Sequence, residues 1–272
     1  MRSITYPLAV EGVVTRVIEC GKGPAVVFVH GLGARCDRFA ETVARYGNKG
    51  FRAITYDLPG HGLAQKGAGG PADVPALARY LLALLDALEI ETAILVGTSL
   101  GGHIAAYAAT LAPARVPGLG LIGALGIAPM AIETARGIQR NVKATSIAEI
   151  TGKLQFVIAD PALVTPELIE EEWRINTSPG ANESFVRLGN YLVDGIEKDY
   201  VAEKLAALYP PEKLLLIWGA LDKAVPLSVG EECRTLLKGP ELALVEGAGH
   251  APYFEQPERF DAVLEPFLAG LA

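Results

Sequence analysis

Only three cysteines, Cys20, Cys36 and Cys233, occur in the 272 residues. They form no C-x-x-C pair and no Cys/His metal spacing, so neither a disulfide framework nor a metal site is expected, and burial as small hydrophobes is the default role. Basic excess is missing as well. The chain carries 24 Lys and Arg against 31 Asp and Glu, a net charge of −7, and offers no basic face for nucleic acid or anionic membrane. A small-molecule substrate is the expected partner, and a homodimer is left open. No run of about 20 uninterrupted apolar residues, the length of a membrane helix, is found. The uncharged stretch 116–132 is broken by Pro117, Gly118, Gly120, Gly123, Gly126 and Pro129 and reads as a core strand running into a loop. The start, Met1-Arg-Ser-Ile-Thr-Tyr-Pro, shows neither an apolar signal-peptide core nor a small-residue cleavage site, and a cytoplasmic enzyme is expected. The phosphate-loop signature G-x-x-x-x-G-K-[ST] is absent, and no cofactor is expected.

What is present is hydrophobic residues, 50% of the chain, enough for a large α/β core. Alternation over 3–10 and 13–19 around Glu11-Gly12 predicts an antiparallel hairpin. Strands are predicted at 25–29, 51–56, 92–97, 118–123, 213–218 and 241–245. Between them come a helix capped by Asp37 and running to Tyr46, a Gly/Pro-rich loop over 63–71, and helices over 73–88, after Ser99, over 227–237 and over 257–268. Such alternation implies a mostly parallel sheet with helices on both faces. From 125 to 208 the alternation stops. Helix starts at Thr145/Ser146, Thr165-Pro166-Glu167 and Ser178-Pro179 mark a helical subdomain, since a structureless loop of that length does not fit a compact domain. The expected organisation is therefore core 1–124, helical cap 125–208 and core 209–272.

The chemistry concentrates at Gly97-Thr98-Ser99-Leu100-Gly101, a Gly-x-Ser-x-Gly between a predicted strand and an Ala-rich helix. So sharp a turn requires residues without Cβ two before and two after the serine. Serine needs a general base, held by a carboxylate, to attack. Of four histidines, His103 shares a helix face with Ser99 but lies one turn inward, whereas His250 sits among small residues after the last strand. His250 is taken as the base. Asp222, following strand 213–218, is taken as the acid. Asp57 also ends a strand but precedes the serine, and a structural role suits it better. The backbone N–H groups of Leu100 and Leu32 are the candidate oxyanion donors, with Gly31 and Gly33 allowing close approach. Ile127, Phe156, Trp173 and Leu188 join Gly31 and Gly33 as candidate pocket residues, against the competing role of packing the cap's own core.

Five motifs in order, His-Gly-x-Gly at 30–33, Asp-x-x-Gly-His-Gly at 57–62, Gly-x-Ser-x-Gly-Gly at 97–102, Trp-Gly-x-x-Asp-x-x-x-Pro at 218–226 and Gly-His-x-Pro-x-x-Glu-x-Pro at 249–257, make the chain resemble the α/β-hydrolase superfamily. The resemblance implies an eight-stranded, mostly parallel sheet, a helical cap inserted after the sixth strand, and a serine hydrolase triad. Ser99 stands where similar dehalogenases and epoxide hydrolases carry a carboxylate nucleophile. Thr165-Pro-Glu-Leu, Trp173 and Ser178-Pro-Gly180 look like the cap of meta-cleavage product hydrolases, which split carbon–carbon bonds. Those enzymes carry Asn before the serine, Trp after the histidine and a cap arginine for the substrate carboxylate. Here the positions hold Thr98, Ala251 and Thr177 or Ser178, with Arg174 and Arg187 as unplaced substitutes. A carboxylesterase or lactonase for small, fairly apolar esters is the first expectation, a carbon–carbon hydrolase or a non-catalytic receptor the alternatives.

Overall fold

A computed structural model describes residues 1–67 and 69–271. Ala68, inside the loop expected over 63–71, and Ala272, last residue of the second core segment, lie outside the described residues. One sheet holds β1 (Ile4–Val10), β2 (Val13–Cys20), β3 (Ala25–Val29), β4 (Arg52–Tyr56), β5 (Ala93–Thr98), β6 (Leu119–Ile122), β7 (Leu214–Gly219) and β8 (Glu241–Val245). Its order is β1-β2-β4-β3-β5-β6-β7-β8. The β1–β2 and β2–β4 pairs are antiparallel and the rest are parallel.

The helices are α1 (Ala40–Asn48), α2 (Val74–Ala87), α3 (Leu100–Leu111), α4 (Ile132–Val142), α5 (Ile147–Val157), α6 (Pro166–Asn176), α7 (Ala181–Asp194), α8 (Ala202–Leu208), α9 (Leu227–Leu236), α10 (Pro252–Glu255) and α11 (Pro257–Ala269). The period of two along the strands decides which of them cover which face. Val27, Leu95, Leu216 and Trp218 join the core under α2, α3, α8 and α9, while their neighbours Val26, Phe28, Val96 and Ile217 join the core under α1 and α11. Each such side chain contributes about 1.5–3 kcal/mol over leaving it in water. Both faces are therefore apolar, which is why the central strands read as unbroken hydrophobic runs.

Two sequence expectations change in detail. Asp37 does not cap a helix: it lies in a 3-10 turn over Cys36–Phe39, and its carboxylate meets Arg16 and Arg35 while α1 starts at Ala40. Ser178 does not cap α7 either, whose N-cap is Gly180; its hydroxyl donates to Ile175 O instead. Ser146 and Thr165 do cap α5 and α6, the former in a reciprocal box with Glu149. Gly118 to Gly123 spells G-x-G-x-x-G, but its middle four residues are β6 and the next helix starts only at Ile132, so no helix N-terminus is offered to a phosphate. Finally, α8 packs on α3 and α9, with Leu205 in the main core beside Leu125 and Ile127. The inserted helices α4 to α7 pack on one another, α4 on α5 and α7, and α6 on α5 and α7. No helix among the described residues is long and apolar enough to cross a membrane.

Candidate active site

The strand order reverses between β3 and β5, so the loops leaving their carboxyl ends emerge side by side, the place where open parallel sheets bind ligands. Ser99 stands at the end of β5 with φ 55° and ψ −122°, a left-handed backbone that costs a non-glycine residue roughly 1–3 kcal/mol. The surroundings impose it. A Cβ on Gly97 would come within 2.2 Å of Gly101 O, and one on Gly101 within 2.3 Å of Val29 O. Ser99 N–H donates to Ile122 O at 2.8 Å, and Ser99 O accepts from Gly102, His103 and Leu125. The turn is thus locked from both neighbouring strands.

His250 follows β8 on the loop that enters α10. Its Nδ1 lies 2.7 Å from Asp222 Oδ2, with the histidine side chain 14% and the aspartate 1% exposed. Asp222 Oδ1 accepts from Ala224 and Val225 N–H. With a carboxylate at Nδ1, that nitrogen carries the proton and Nε2 is left as acceptor. Burial disfavours the imidazolium, but the Asp222 carboxylate outweighs it and raises the His250 pKa. Glu255, 6% exposed, spans this loop: Oε1 accepts from Gly249 and Ala251 N–H, and Oε2 from Gly249 and Ala159 N–H.

The loop after β3 is pinned by His30, whose Nδ1 donates to Gly31 O at 2.8 Å and whose Nε2 accepts from Leu58 N–H at 2.9 Å. Burial lowers its pKa and keeps the ring neutral. Leu100 opens α3, where N–H groups have no intrahelical acceptor. Two adjoining cavities, about 100 and 60 Å³, both include Ser99, His250, Leu32, Lys153 and Val157 in their walls. The first continues past Thr98, Leu154, Ile158 and Phe254, the second past Ile138, Val142, Phe156 and Val225. Most of this wall is apolar; its charged members are Arg38, Lys153 and Glu172. Burial alone would raise the Glu172 pKa, but Lys153, Arg38 and Arg35 together hold it down at about 2.

Residues 26–263 match the alpha/beta hydrolase family. The chain belongs to that family. It is 30% identical over 264 residues to the 2-hydroxymuconate semialdehyde hydrolase of a Pseudomonas species, covering 95% of this chain and 91% of that one. It is 31% identical over 265 residues to the dihydrolipoyllysine-residue acetyltransferase component of the acetoin cleaving system of Pseudomonas putida, covering 95% of this chain and 68% of that one. A crystal structure of a bacterial membrane phospholipase A superposes with a TM-score of 0.82 at 26% identity, covering 99% of this chain and 86% of that one.

In this alpha/beta hydrolase, Ser99, His250, Asp222, Leu32 and Leu100 come together at one end of the sheet, and Gly31, Gly33 and Phe156 line the cavities. Three of the expected pocket residues do not reach them. Ile127 and Leu188 are buried in the main core, and Trp173 packs against the small cluster of Ala144, Ile150 and Leu154 with its indole N–H on Thr145 O. Their apolar character serves packing, the competing role. Arg174 pairs with Glu170 at 70% exposure, and neither it nor Arg187 lines either of the two cavities at Ser99. His103 is buried with Nε2 on Asp199 O, its pKa pushed down to about 4 by burial. Asp57 is taken up by Arg16, Cys36 N–H and Leu63 N–H. Of the α5 wall, sequence reasoning named Phe156 and missed Lys153, Leu154 and Val157. Lys153 interrupts the apolar positions Ile150, Leu154 and Val157 of one helix face, a charge on an apolar stripe that could have flagged it. The structural role of Glu255 was also unread, although it lies inside the quoted Gly-His-x-Pro-x-x-Glu motif.

Proposed function

We propose that this chain is a serine hydrolase that cleaves small, fairly apolar carboxylic esters or lactones through an acyl-enzyme on Ser99. The observation that carries the reading is Ser99, on its strained turn, sharing two apolar cavities with a histidine whose Nδ1 is held 2.7 Å from a buried carboxylate. Ser99 Oγ attacks the ester carbonyl while His250 Nε2 takes its proton, and the oxyanion is received by the N–H groups of Leu32 and Leu100. His250 returns the proton to the leaving alkoxide, which departs as the alcohol. A water deprotonated by His250 then attacks the acyl carbon, and collapse releases the acid and regenerates Ser99.

Size and charge narrow the substrate. An apolar cavity of about 150 Å³ holds benzene, so a cavity of about 100 Å³ suits a short acyl or alkyl group. The wall cations Arg38 and Lys153 already pair with Glu172, which favours a neutral substrate. The likeness to a 2-hydroxymuconate semialdehyde hydrolase supports carbon–carbon cleavage as the second reading. Turnover of p-nitrophenyl acetate, a γ-lactone and a meta-cleavage product by one preparation tests the ranking: the ester or lactone is expected to dominate, and a dominant rate on the meta-cleavage product overturns it. The three buried, free cysteines and the acidic balance fit a cytoplasmic enzyme that binds small molecules, with α4 to α7 as its cap.

A further inference from the structure

Gly33 O, in the loop that carries Leu32, accepts two hydrogen bonds from the inserted helices: Lys153 Nζ of α5 at 2.8 Å and Asn176 Nδ2 of α6 at 3.3 Å. Both donors also reach one carboxylate oxygen, Glu172 Oε1, at 2.8 and 2.9 Å. Glu172 is fixed in turn by Arg38 at 3.0 Å. A lysine placed on the apolar face of a helix and 10% exposed is costly unless its charge is paired, so this arrangement specifies where the ammonium sits. Gly33 adopts φ 71°, and a glycine loop has no side chain of its own to hold its peptides in place. The core side of the loop is tied by His30 to Gly31 O, and the cap side by Lys153 to Gly33 O. Leu32 lies between the two ties.

We propose that Lys153 is a positioning residue: through Gly33 O, and with Asn176 and Glu172, it fixes the 31–34 loop so that Leu32 N–H points at the oxyanion, and it does so only when the cap helices are docked. The proposal rests on Ser99 being the acylated nucleophile. Oxyanion donors act by being oriented before charge develops, so a loop free to rotate loses transition-state stabilisation while substrate binding is retained. Cap docking and assembly of the oxyanion site thereby become one event.

The test measures kcat and KM with p-nitrophenyl acetate, affinity for a trifluoromethyl ketone that forms an oxyanion adduct with serine, and thermal midpoint. Wild type is compared with Lys153→Met, Lys153→Arg and Asn176→Ala. For Lys153→Met, kcat is expected to fall about tenfold to a hundredfold with KM little changed, and ketone affinity to weaken by the same factor. Asn176→Ala should move both in the same direction by less, and Lys153→Arg should restore part of the loss. If Lys153→Met does not fold, the other two variants carry the comparison. Wild-type kcat and ketone affinity in Lys153→Met, or in both other variants, overturn the proposal. So does a loss confined to KM. A wild type that takes no fluorophosphonate on Ser99 defeats the nucleophile reading first and this proposal with it; a labelled wild type with an unaffected lysine variant defeats this proposal alone.

Discussion

Asp222 holds His250 by one oxygen and the backbone by the other: Oδ2 meets Nδ1 at 2.7 Å, while Oδ1 accepts from Ala224 and Val225 at 2.8 and 2.9 Å. The carboxylate cannot swing away, so the ring is fixed with its proton on Nδ1. Asp222→Asn keeps the shape but reverses the donor at this contact. It is expected to lower kcat by about 10⁴, with circular dichroism and thermal midpoint near wild type. Asp57 cannot take over, because Arg16 and two N–H groups occupy its carboxylate.

The pH profile follows from the same pair. Asp222 raises the His250 pKa above its ordinary value of 6.5, and only the neutral ring accepts the Ser99 proton. Activity is therefore expected to rise with pH through a pKa above 6.5, read as kcat/KM against pH. In Asp222→Asn the anion that favours the imidazolium is gone, and the residual activity should rise at lower pH. An unmoved limb would assign it to another group.

Glu255 acts on His250 through the backbone. Its two oxygens accept from Gly249, Ala251 and Ala159 N–H, so Glu255→Gln turns an NH₂ group toward donors it cannot satisfy. Losing such charge-assisted bonds costs roughly 1.5–3 kcal/mol each. The expected outcome is a lower thermal midpoint together with a kcat reduced about tenfold or more, both measured on the purified variant.

Glu172 makes the packing of α6 on α5 acid-sensitive. Its folded pKa of about 2 lies below the ordinary 4.5, so the stability it contributes is present above pH 4.5 and is lost as pH falls toward 2. The full displacement corresponds to on the order of 3 kcal/mol. Urea unfolding at pH 7 and pH 3 should show a larger loss for wild type than for Glu172→Gln, which has no such proton to take up.

The fold was largely legible because its central strands are buried on both faces, and continuous runs such as 25–29 and 214–218 have few other readings. The Ser99 turn was legible because sterics leave Gly97 and Gly101 no alternative. Asp222 and His250 were singled out by their place after strands, and the structure sets them 2.7 Å apart. The cavity wall was legible only at Gly31, Gly33 and Phe156. Ile127 and Leu188 look the same in sequence whether they face a ligand or a core, and only the rotation of each helix decides. Lys153 and Asn176 lie on different helices, and their meeting at Gly33 O is a tertiary fact with no local signature beyond a lysine on an apolar stripe. Asp37 and Ser178 failed as caps because each had a stronger tertiary or local partner.

Ser99 as the nucleophile is the claim on which the proposed chemistry depends. Wild type and Ser99→Ala treated with a fluorophosphonate and read by intact mass and peptide mapping test it. Wild type should gain one adduct, on the Ser99 peptide, and Ser99→Ala none. A wild type that stays unlabelled, or a variant labelled to the same extent, would contradict it.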